Sequence, residues 1–406
     1  MARIENKTQY NWAVKRVEEL LPPVDDNTPL DDPNSIELEL LSNMVTDYSD
    51  EHFSLGEPTL AEVKKTAIII LNWNGKKLLQ QFLPTVLAHS LNDNSEVIVA
   101  DNGSTDDSVD FLKTQFPNVP LILFNENYGF AEGYNRAIQQ VDAEYVVLLN
   151  SDVETTENWL QPLVDYMDTH PEVVAVQPKI RAYHDKEKFE YAGAAGGFID
   201  RYGYPFCRGR ILDVIETDRG QYDDAIPVFW TTGACLLIRR SNYLEVGGLD
   251  ARFFAHQEEI DLCWRLNARG KNVMCIPESV VYHVGGASLN KENPRKTYLN
   301  FRNNLLMLYK NVQPSVFFGT FAMRYLLDSL AFLHLLLQGN FKNAKAVAKA
   351  HRDFLKMKSS YKSVRRENLA KSVTITISTQ YPKNILWKFY VSKKKTYASL
   401  FRNDKN

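Results

Sequence analysis

The stretch Ala67-Ile-Ile-Ile-Leu-Asn-Trp-Asn-Gly75 decides the fold, because a short run of β-branched apolar residues ends abruptly in polar ones. Such a run is typical of a central strand in a parallel sheet, which is buried on both faces. Three further strands are predicted at 96–100, 121–124 and 145–149, with helices between the strands at 78–89, 108–115 and 129–140. Strands that alternate with helices in this way predict a doubly wound α/β unit with right-handed crossovers.

Each of these predicted strands ends in a polar motif. The motifs are Asn72-Trp-Asn-Gly75, Asp101-Asn-Gly-Ser-Thr-Asp106, Asn125-Glu-Asn-Tyr-Gly-Phe-Ala-Glu-Gly-Tyr-Asn135 and Asn150-Ser-Asp152. In doubly wound sheets, ligands bind beyond the carboxyl ends of the strands. Asx turns and helix caps use the same residue types, so a structural role is the alternative for any single motif. The coincidence of polar motifs at consecutive strand ends favours a binding site at this edge of the sheet.

The second half of the chain adds Thr232-Gly-Ala234 and Glu258-Glu-Ile-Asp-Leu-Cys-Trp-Arg265. From about residue 66 to about residue 308, the ordered set of motifs resembles family 2 glycosyltransferases with the GT-A nucleotide-sugar fold, most strongly bacterial rhamnosyltransferase-like members. The resemblance implies an α/β fold: a GT-A-type doubly wound mixed sheet with helical N-terminal and C-terminal extensions. The expected segments are an acidic helical N-terminal extension (1–65), the GT-A domain (66–297), an amphipathic basic helical region (298–370) and a C-terminal tail (371–406).

The resemblance also implies that a nucleotide-diphosphate sugar donor binds at the strand ends. It places Asp101 against the nucleobase and the loop with Asn72 and Asn74 beside the nucleoside, where a carboxylate or amide can accept from an imide N–H. The other implied donor-binding residues are Gly129, Gly133, Asn135, Asn150, Ser151, Gly233, Ala234 and Arg302. Helix packing is an equally good explanation for Asn135, and solvated helix charge is one for Arg302.

The motif Asn150-Ser151-Asp152 occupies the position of the family's D-x-D metal motif, with an asparagine where many members carry an aspartate. The resemblance implies that Asp152 and His283 bind Mg²⁺ or Mn²⁺, ions that prefer oxygen ligands and bridge a diphosphate, and imidazole is an acceptable ligand for manganese. Glu259 matches the family's general base, normally an aspartate, and Glu258 or Asp261 could share the task. The helix dipole also favours acids in a first helical turn, which is the structural alternative.

Together these residues imply a metal-dependent inverting glycosyltransferase in cell-surface polysaccharide synthesis. It would move a sugar, with rhamnose as the favoured choice, to a hydroxyl of a glycan or lipid-linked acceptor. One alternative is a sugar-nucleotide nucleotidyltransferase, but the loop Asn72-Trp-Asn-Gly-Lys76 is too short to hold a triphosphate. The other is a non-catalytic nucleotide-sugar-binding scaffold, which the presence of both Asp152 and Glu259 disfavours. No G-x-G-x-x-G follows the first strand, which disfavours a nicotinamide enzyme.

Composition and charge indicate the location and the partners. The 406 residues are 44% hydrophobic, which excludes the disordered and collagen-like classes, and the four cysteines form no C-x-x-C pair, so a reducing cytoplasm fits best. Residues 1–65 carry 6 basic and 14 acidic side chains, which argues against nucleic-acid binding. Residues 342–366 carry 9 basic side chains and one acidic.

The apolar segment 316–337 bears on membrane contact. Arg324, Asp328 and His334 interrupt it, and charges are costly in hydrocarbon, so a spanning helix is disfavoured. An amphipathic helix on the protein or on a membrane fits better, and the basic segment after it would attract anionic lipid. We expect peripheral contact with the inner face of the cytoplasmic membrane, with a solvated helical hairpin as the alternative. Residues 373–377 are expected to form an edge strand.

Overall fold

The computed structural model describes residues 6–20, 32–52, 64–285 and 293–401, together with residues 4, 28 and 29. The chain divides into two compact units, Met1–Val63 and Lys64–Asn406. In the first unit, helix α1 (Lys7–Leu20) packs against α2 (Pro33–His52), and the Arg16 guanidinium donates to both carboxylate oxygens of Glu37 at 2.8 and 2.9 Å. Their shared apolar core contains Ile4, Ala13, Leu20, Leu41 and Tyr48.

The described part of the second unit contains a nine-stranded sheet and a four-stranded sheet. The strands are β1 (Thr66–Asn72), β2 (Ser95–Asn102), β3 (Leu121–Phe124), β4 (Tyr145–Asn150), β5 (Val153–Thr155), β6 (Val173–Ala182), β7 (Gly197–Ile199), β8 (Pro205–Cys207), β9 (Arg210–Ile211), β10 (Val214–Ile215), β11 (Ile226–Pro227), β12 (Cys235–Arg239) and β13 (Asn272–His283). The helices are α3 (Lys76–Ser90), α4 (Ser108–Gln115), α5 (Gly129–Gln139), α6 (Gln161–Thr169), α7 (Arg240–Glu245), α8 (Glu258–Ala268), α9 (Pro294–Asn311), α10 (Pro314–Leu337), α11 (Phe341–Met357), α12 (Lys362–Ala370), α13 (Ile385–Tyr390) and α14 (Tyr397–Phe401), with short 3-10 turns at Ala251–Phe253 and Lys358–Tyr361.

The strand order of the large sheet creates a crevice at one edge. The order is β11-β13-β6-β12-β4-β1-β2-β3, and β5 pairs with β13. The chain moves outward from β1 to β3 through parallel strands and then returns to β4 on the other side of β1. Ligands of doubly wound sheets bind where the direction of winding reverses in this way. Strand β12 runs antiparallel to β4 and β6, which makes the sheet mixed.

Apolar side chains on both faces of the sheet explain why its strands read as continuous apolar runs. Along β1, Ile68 and Ile70 face the layer of α3, α4 and α6, whereas Ala67 and Ile69 face the layer that contains α5 and α8. All four are at most 1% exposed. Side chains alternate between the two faces of a strand, so both faces of β1 must be apolar for both helical layers to pack.

The predicted fold class is confirmed: the protein has an α/β fold with a doubly wound mixed sheet and further helices toward both ends. The predicted strands and helices between residues 67 and 149 are all present within two residues of their expected bounds. The four cysteines are buried free thiols. The edge strand expected at 373–377 is wrong, because that segment has no strand pairing and Val373 N–H donates to the carbonyl of Ala268 instead.

Candidate active site

At the end of β2, Asp101 is buried and held by neighbouring side chains. Its Oδ2 accepts hydrogen bonds from Asn72 Nδ2 at 2.8 Å and from the Ser104 hydroxyl at 2.7 Å, and its Oδ1 accepts from the Ser104 N–H at 2.8 Å. Asn72 Oδ1 is buried without a hydrogen-bond partner. Buried polar atoms normally have partners, and here Gly75 packs so closely against the oxygen that an added Cβ would collide with it.

Asn74 shapes the loops on either side of Asp101. Its backbone has φ of 51°, and its Oδ1 accepts from the N–H groups of Thr105 at 2.7 Å and Asp106 at 3.2 Å. The Asn74 N–H also donates to the Ser104 hydroxyl at 2.9 Å. Asn74 therefore fixes the loop after β2 against the loop after β1, while its neighbour Trp73 is exposed.

The two predicted donor-binding glycines of α5 approach protein groups closely. A Cβ at Gly129, which has φ of +79°, would lie 2.6 Å from the Phe254 ring, and one at Gly133 would lie 2.9 Å from Leu71. Only a glycine tolerates that backbone conformation and these distances easily. In the structure these glycines allow α5 to approach its protein neighbours closely, and their contact with a nucleotide stays a prediction.

Asn135 also makes its contacts within the protein. Its Nδ2 donates to the carbonyl of Leu249 at 2.9 Å, while its Oδ1 accepts from the Tyr243 hydroxyl at 2.7 Å and from the Leu249 N–H at 3.0 Å. These bonds hold the segment before α8 against α5. The packing explanation for Asn135 therefore replaces its predicted role in donor binding.

Asp152 and His283 meet because β5 pairs with the end of β13, in the register Val153 with His283. The Asp152 Oδ1 atom lies 3.1 Å from His283 Nε2, and both side chains are buried. Asn150 Nδ2 lies 3.4 Å from the same ring nitrogen. Burial alone would raise the pKa of Asp152 and lower that of His283. The contact between the two reverses both effects, lowering the pKa of Asp152 and, with help from Glu190, raising that of His283 to about 10.

Glu190 also belongs to this cluster, although no sequence motif pointed to it. Its Oε1 lies 3.6 Å from His283 Nδ1. A Cβ at Gly285 would lie 2.7 Å from Glu190 Oε1. The glycine two residues after His283 therefore leaves room for the Glu190 carboxylate. No motif surrounds Glu190, and only the fold brings it to a histidine that lies 93 positions later in the chain.

The donor atoms of Asp152 and His283 fit a divalent cation. One carboxylate oxygen and one imidazole nitrogen lie 3.1 Å apart, and Mn²⁺ accepts both atom types, provided that the His283 ring releases its Nε2 proton when the cation binds. Across residues 64–285 and the other described ranges, no group of three or more His, Cys, Asp or Glu side chains could hold a metal. The pair would therefore supply two ligands, and a bound diphosphate and water would have to supply the rest, as is common for Mg²⁺.

The segment Thr231–Ala234 connects this cluster to α8. The Ala234 carbonyl accepts from the Asn150 N–H at 3.0 Å, and the Thr231 hydroxyl lies 3.4 Å from the thiol of Cys263 on α8. A Cβ at Gly233 would lie 3.1 Å from the Phe130 ring. Gly233 and Ala234 therefore lie between the end of β4 and α8. Nearby, Ser151 is half-buried, with its hydroxyl 3.8 Å from the Cβ position of Gly75 in the loop after β1.

Glu258 and Glu259 begin α8 and share an unusual environment. The Oε2 atom of each is buried without a hydrogen-bond partner. Burial raises the pKa of Glu259 to about 7, and burial together with the charge of Glu259 raises that of Glu258 well above its ordinary value. A carboxyl group with a pKa near neutrality is suited to accept a proton at physiological pH.

The loop before this pair has a strained backbone and is held by α9. Phe254, His256 and Gln257 have φ values of 66°, 71° and 75°, a region that costs energy for side chains of this size. Asn303 Nδ2 donates to the carbonyls of residues 253, 255 and 256 at 3.0, 2.9 and 2.8 Å. Asn304 Nδ2 donates to Gln257 Oε1 at 3.0 Å. These asparagines position the acid pair, and their only sequence signal is a pair of amides inside a helix.

Arg302 is engaged in the same contacts. Its Nη2 donates to the carbonyls of Arg252 and Phe253, both at 3.1 Å, and to Asn303 Oδ1 at 2.6 Å. The predicted role of Arg302 in donor binding is therefore corrected, because its guanidinium fixes the loop before α8.

Asp261 is separated from the other two acids of its cluster by its contacts. It is fully buried and accepts hydrogen bonds from Arg265 Nε at 3.0 Å, Lys310 Nζ at 2.7 Å and Asn311 Nδ2 at 2.8 Å. Both carboxylate oxygens are occupied by these partners, so neither is left to contact an acceptor hydroxyl. Asp261 is therefore removed from the candidate bases, and Arg265 is the internal ion-pair partner that the sequence favoured.

The remaining candidates form a continuous line along the sheet edge. In the sheet register, Asn72 lies opposite Asp101 and Leu71 lies opposite Asn150, so Asp101 and Asn150 are about 10 Å apart, two strand spacings. Beyond Asn150 come the Asp152–His283 pair and the Thr231–Ala234 segment, which touches α8. Carboxylate, amide and imidazole side chains are therefore gathered at this edge, and two further carboxyl groups begin α8.

Comparisons with known proteins show what the chain is similar to. Residues 67–247 match the family model of glycosyl transferase family 2. The N-acetylglucosaminyl-diphospho-decaprenol L-rhamnosyltransferase of Mycobacterium tuberculosis is 29% identical over 243 residues, which cover 55% of this chain and 78% of that protein. Rhamnosyltransferase WbbL of Escherichia coli is 25% identical over 165 residues, which cover 38% of this chain and 61% of that protein.

Solved structures align more loosely. Residues 1–349 of S. aureus TarS in complex with UDP-GlcNAc align at 13% identity with a TM-score of 0.47, covering 76% of this chain and 89% of that chain. GalNAc-T7 with UDP, GalNAc and Mn²⁺ aligns at 14% identity with a TM-score of 0.47, covering 61% of this chain and 48% of that chain. Alignments this loose transfer no residue roles.

Proposed function

We propose that the protein is an inverting glycosyltransferase, because residues 67–247 match the family model of glycosyl transferase family 2. It moves a sugar from a nucleotide-diphosphate donor to a hydroxyl of a glycan or lipid-linked acceptor. The observation that carries the proposal is the pair of buried, unpartnered carboxyl oxygens of Glu258 and Glu259 at the start of α8, a helix that contacts the Thr231–Ala234 segment beside the end of β4. A base in that place suits inversion, because the acceptor it activates attacks from the side opposite the nucleotide.

In this mechanism Glu259 accepts the proton of the acceptor hydroxyl on Oε2. The hydroxyl oxygen forms a bond to the anomeric carbon while the bond from that carbon to the diphosphate oxygen breaks, and the electron pair leaves with the diphosphate. Glu259 is favoured over Glu258, because it matches the position of the family's general base and burial raises its pKa to about 7, close to physiological pH.

The rest of the edge binds the donor. Asp152 and His283 would hold Mg²⁺ or Mn²⁺, which when bound stabilises the negative charge of a departing diphosphate. Asn150 and Ser151 adjoin that pair and contact the ribose or the sugar. Asp101, which accepts a hydrogen bond from Asn72 Nδ2 at 2.8 Å, would accept from the nucleobase N–H, and the loop with Asn72 and Asn74 would lie beside the nucleoside.

The names of two relatives support a choice of donor sugar and acceptor. The M. tuberculosis relative is named as a rhamnosyltransferase that acts on a diphospho-decaprenol carrier, and the E. coli relative is also named a rhamnosyltransferase. We therefore favour dTDP-rhamnose as the donor, with UDP-hexoses as the second choice, and a lipid-linked acceptor for cell-surface polysaccharide. Such an acceptor places the protein in the cytoplasm at the inner face of the cytoplasmic membrane.

The test is a panel of nucleotide sugars assayed for binding and hydrolysis, with and without Mn²⁺. We expect one nucleotide-diphosphate sugar to bind and to be slowly hydrolysed, with Mn²⁺ increasing both. Binding of nucleoside triphosphates alone would instead identify a nucleotidyltransferase. If the wild type binds the donor but neither hydrolyses it nor transfers its sugar to any acceptor, the protein is a non-catalytic scaffold.

A further inference from the structure

Helix α10 buries two charged side chains beside Phe321 and exposes a row of large apolar side chains, unlike a typical surface helix of a soluble protein. Its inward side includes Thr320, Arg324 and Asp328, all at most 5% exposed. Its outward side carries large apolar residues at helical spacing: Phe318, Leu326, Leu330, Leu333 and Leu337. A surface helix normally buries its apolar stripe and exposes its charges.

The inward charges are neutralised inside the protein. Arg324 Nη2 lies 3.0 Å from Asp328 Oδ1, which also accepts from the Tyr204 hydroxyl at 3.1 Å. Asp328 Oδ2 lies 3.0 Å from Nε2 of His351 on α11. These contacts hold the buried side of α10 against α11 and against the loop between β7 and β8. Although α10 is long and apolar enough to cross a membrane, crossing would require breaking these contacts or burying them in hydrocarbon.

The outward face is long and contiguous. Phe318 and Leu337 are 85% and 88% exposed, and the three leucines between them are each more than half exposed. The face extends about 28 Å along the helix axis, at 1.5 Å for each residue. Apolar patches of this size on a protein surface mark interaction sites.

Charge at the end of this face indicates what covers it. After the turn at Gly339, Phe341 is 67% exposed and is followed by the exposed Lys342 and Lys345, in a segment with 9 basic residues and one acid between 342 and 366. An apolar face bordered by lysines is the signature of a helix that lies in an anionic lipid interface. A second copy of the chain would bring the same basic segments together and be opposed by their repulsion.

We propose that the outward face of α10 and the lysines that begin α11 dock onto an anionic lipid bilayer, with α10 lying in the plane of the interface. Docking there would bring the protein to a lipid-linked acceptor. Only this role of the surface rests on the proposed function, whereas lipid binding itself does not.

The test is co-flotation of the full chain with vesicles of phosphatidylcholine, alone or with about 30% phosphatidylglycerol. We expect binding to the anionic vesicles that falls by at least about tenfold in L326S/L330S/L337S. The matched control is L91S/L123S, because these leucines are 56% and 49% exposed at other places on the domain. This control should bind like wild type. If the triple variant fails to fold, F318S alone repeats the test.

A second pair of variants tests the charge. K342E/K345E should lose the preference for anionic vesicles, whereas K113E/K383E, which reverses exposed lysines elsewhere, should keep it. Three results would overturn the proposal. The leucine variant could bind vesicles as tightly as wild type, or alkaline carbonate could fail to extract the membrane-bound protein. In the third, wild type forms a dimer that does not bind vesicles, and the leucine variant is a monomer.

Transfer assays separate this proposal from the proposed function. The leucine variant should transfer sugar to a soluble acceptor analogue at the wild-type rate and to a vesicle-bound acceptor more slowly. Vesicle binding by a wild-type protein that transfers no sugar to any acceptor would refute the proposed function and leave the docking surface standing.

Discussion

Replacing Glu259 by glutamine tests the acid pair through stability and turnover together. Burial raises the pKa of Glu259 from 4.5 to about 7, so the folded protein keeps a proton that the unfolded chain releases across that interval. Because the folded state binds more protons there, stability falls as the pH rises from about 4.5 to about 7. At about 1.4 kcal/mol for each pH unit, the carboxylate costs about 3 kcal/mol of unfolding free energy by pH 8.

Glutamine has no charge at any pH and removes that cost. We therefore expect Glu259→Gln to be more stable than wild type by up to about 3 kcal/mol at pH 8 and by almost nothing at pH 4. The same variant should lose about 100-fold or more in transfer rate while it keeps its donor affinity, because the proton acceptor is gone. In the wild type, kcat/KM should rise with pH through about 7 as Glu259 ionises.

The assay is urea unfolding, followed by tryptophan fluorescence at several pH values between 4 and 8, alongside transfer kinetics. Glu157→Gln is the control, because Glu157 is exposed on the loop before α6 and should leave both stability and turnover unchanged. Parallel stability curves for wild type and Glu259→Gln across this pH range would refute the argument that the carboxyl is desolvated. Unchanged turnover would remove Glu259 from the mechanism.

Three further substitutions test the other parts of the site. Asp152→Asn should weaken Mn²⁺-dependent donor binding by about tenfold or more in calorimetry, with the exposed Asp93→Asn as control, and equal affinity would argue against Asp152 as a ligand. Asn303→Ala should lower the unfolding free energy by about 2 kcal/mol or more, because three carbonyls lose their donor, and limited proteolysis should then cut the loop before α8. Asp261→Asn should destabilise by about 3 kcal/mol in urea unfolding, because two buried cations lose a partner, and lost turnover at wild-type stability would return it to the candidate bases.

The fold could be predicted closely because local composition specifies it. Strand β1 packs against helices on both sides, so every position must be apolar, and the sequence records this as an unbroken run from Ala67 to Leu71. The polar residues after each strand mark the edge where the backbone leaves the sheet. Both signals are contained in a few consecutive residues, and neither depends on distant parts of the chain.

The site could be predicted only in part, because many of its residue types serve equally well in packing. Asn135 follows the expected motif, yet its partners are Tyr243 and Leu249, more than 100 positions away. The sequence predicted that Arg302 contacts an anion. In the structure its guanidinium donates to carbonyls of the loop before α8. Nothing in the sequence near either residue distinguishes a ligand contact from a protein contact.

The order of strands and helices, the polar edge of the sheet and the types of side chain gathered there can all be predicted from local sequence. Which buried polar atoms lack a partner depends on the folded chain, and among them are Asn72 Oδ1 and the Oε2 atoms of Glu258 and Glu259. The tertiary structure also turned the leucines of α10 outward and its charges inward. The physical reason is that hydrogen bonding and burial depend on which distant residues pack against a group, and only the folded chain brings those residues together.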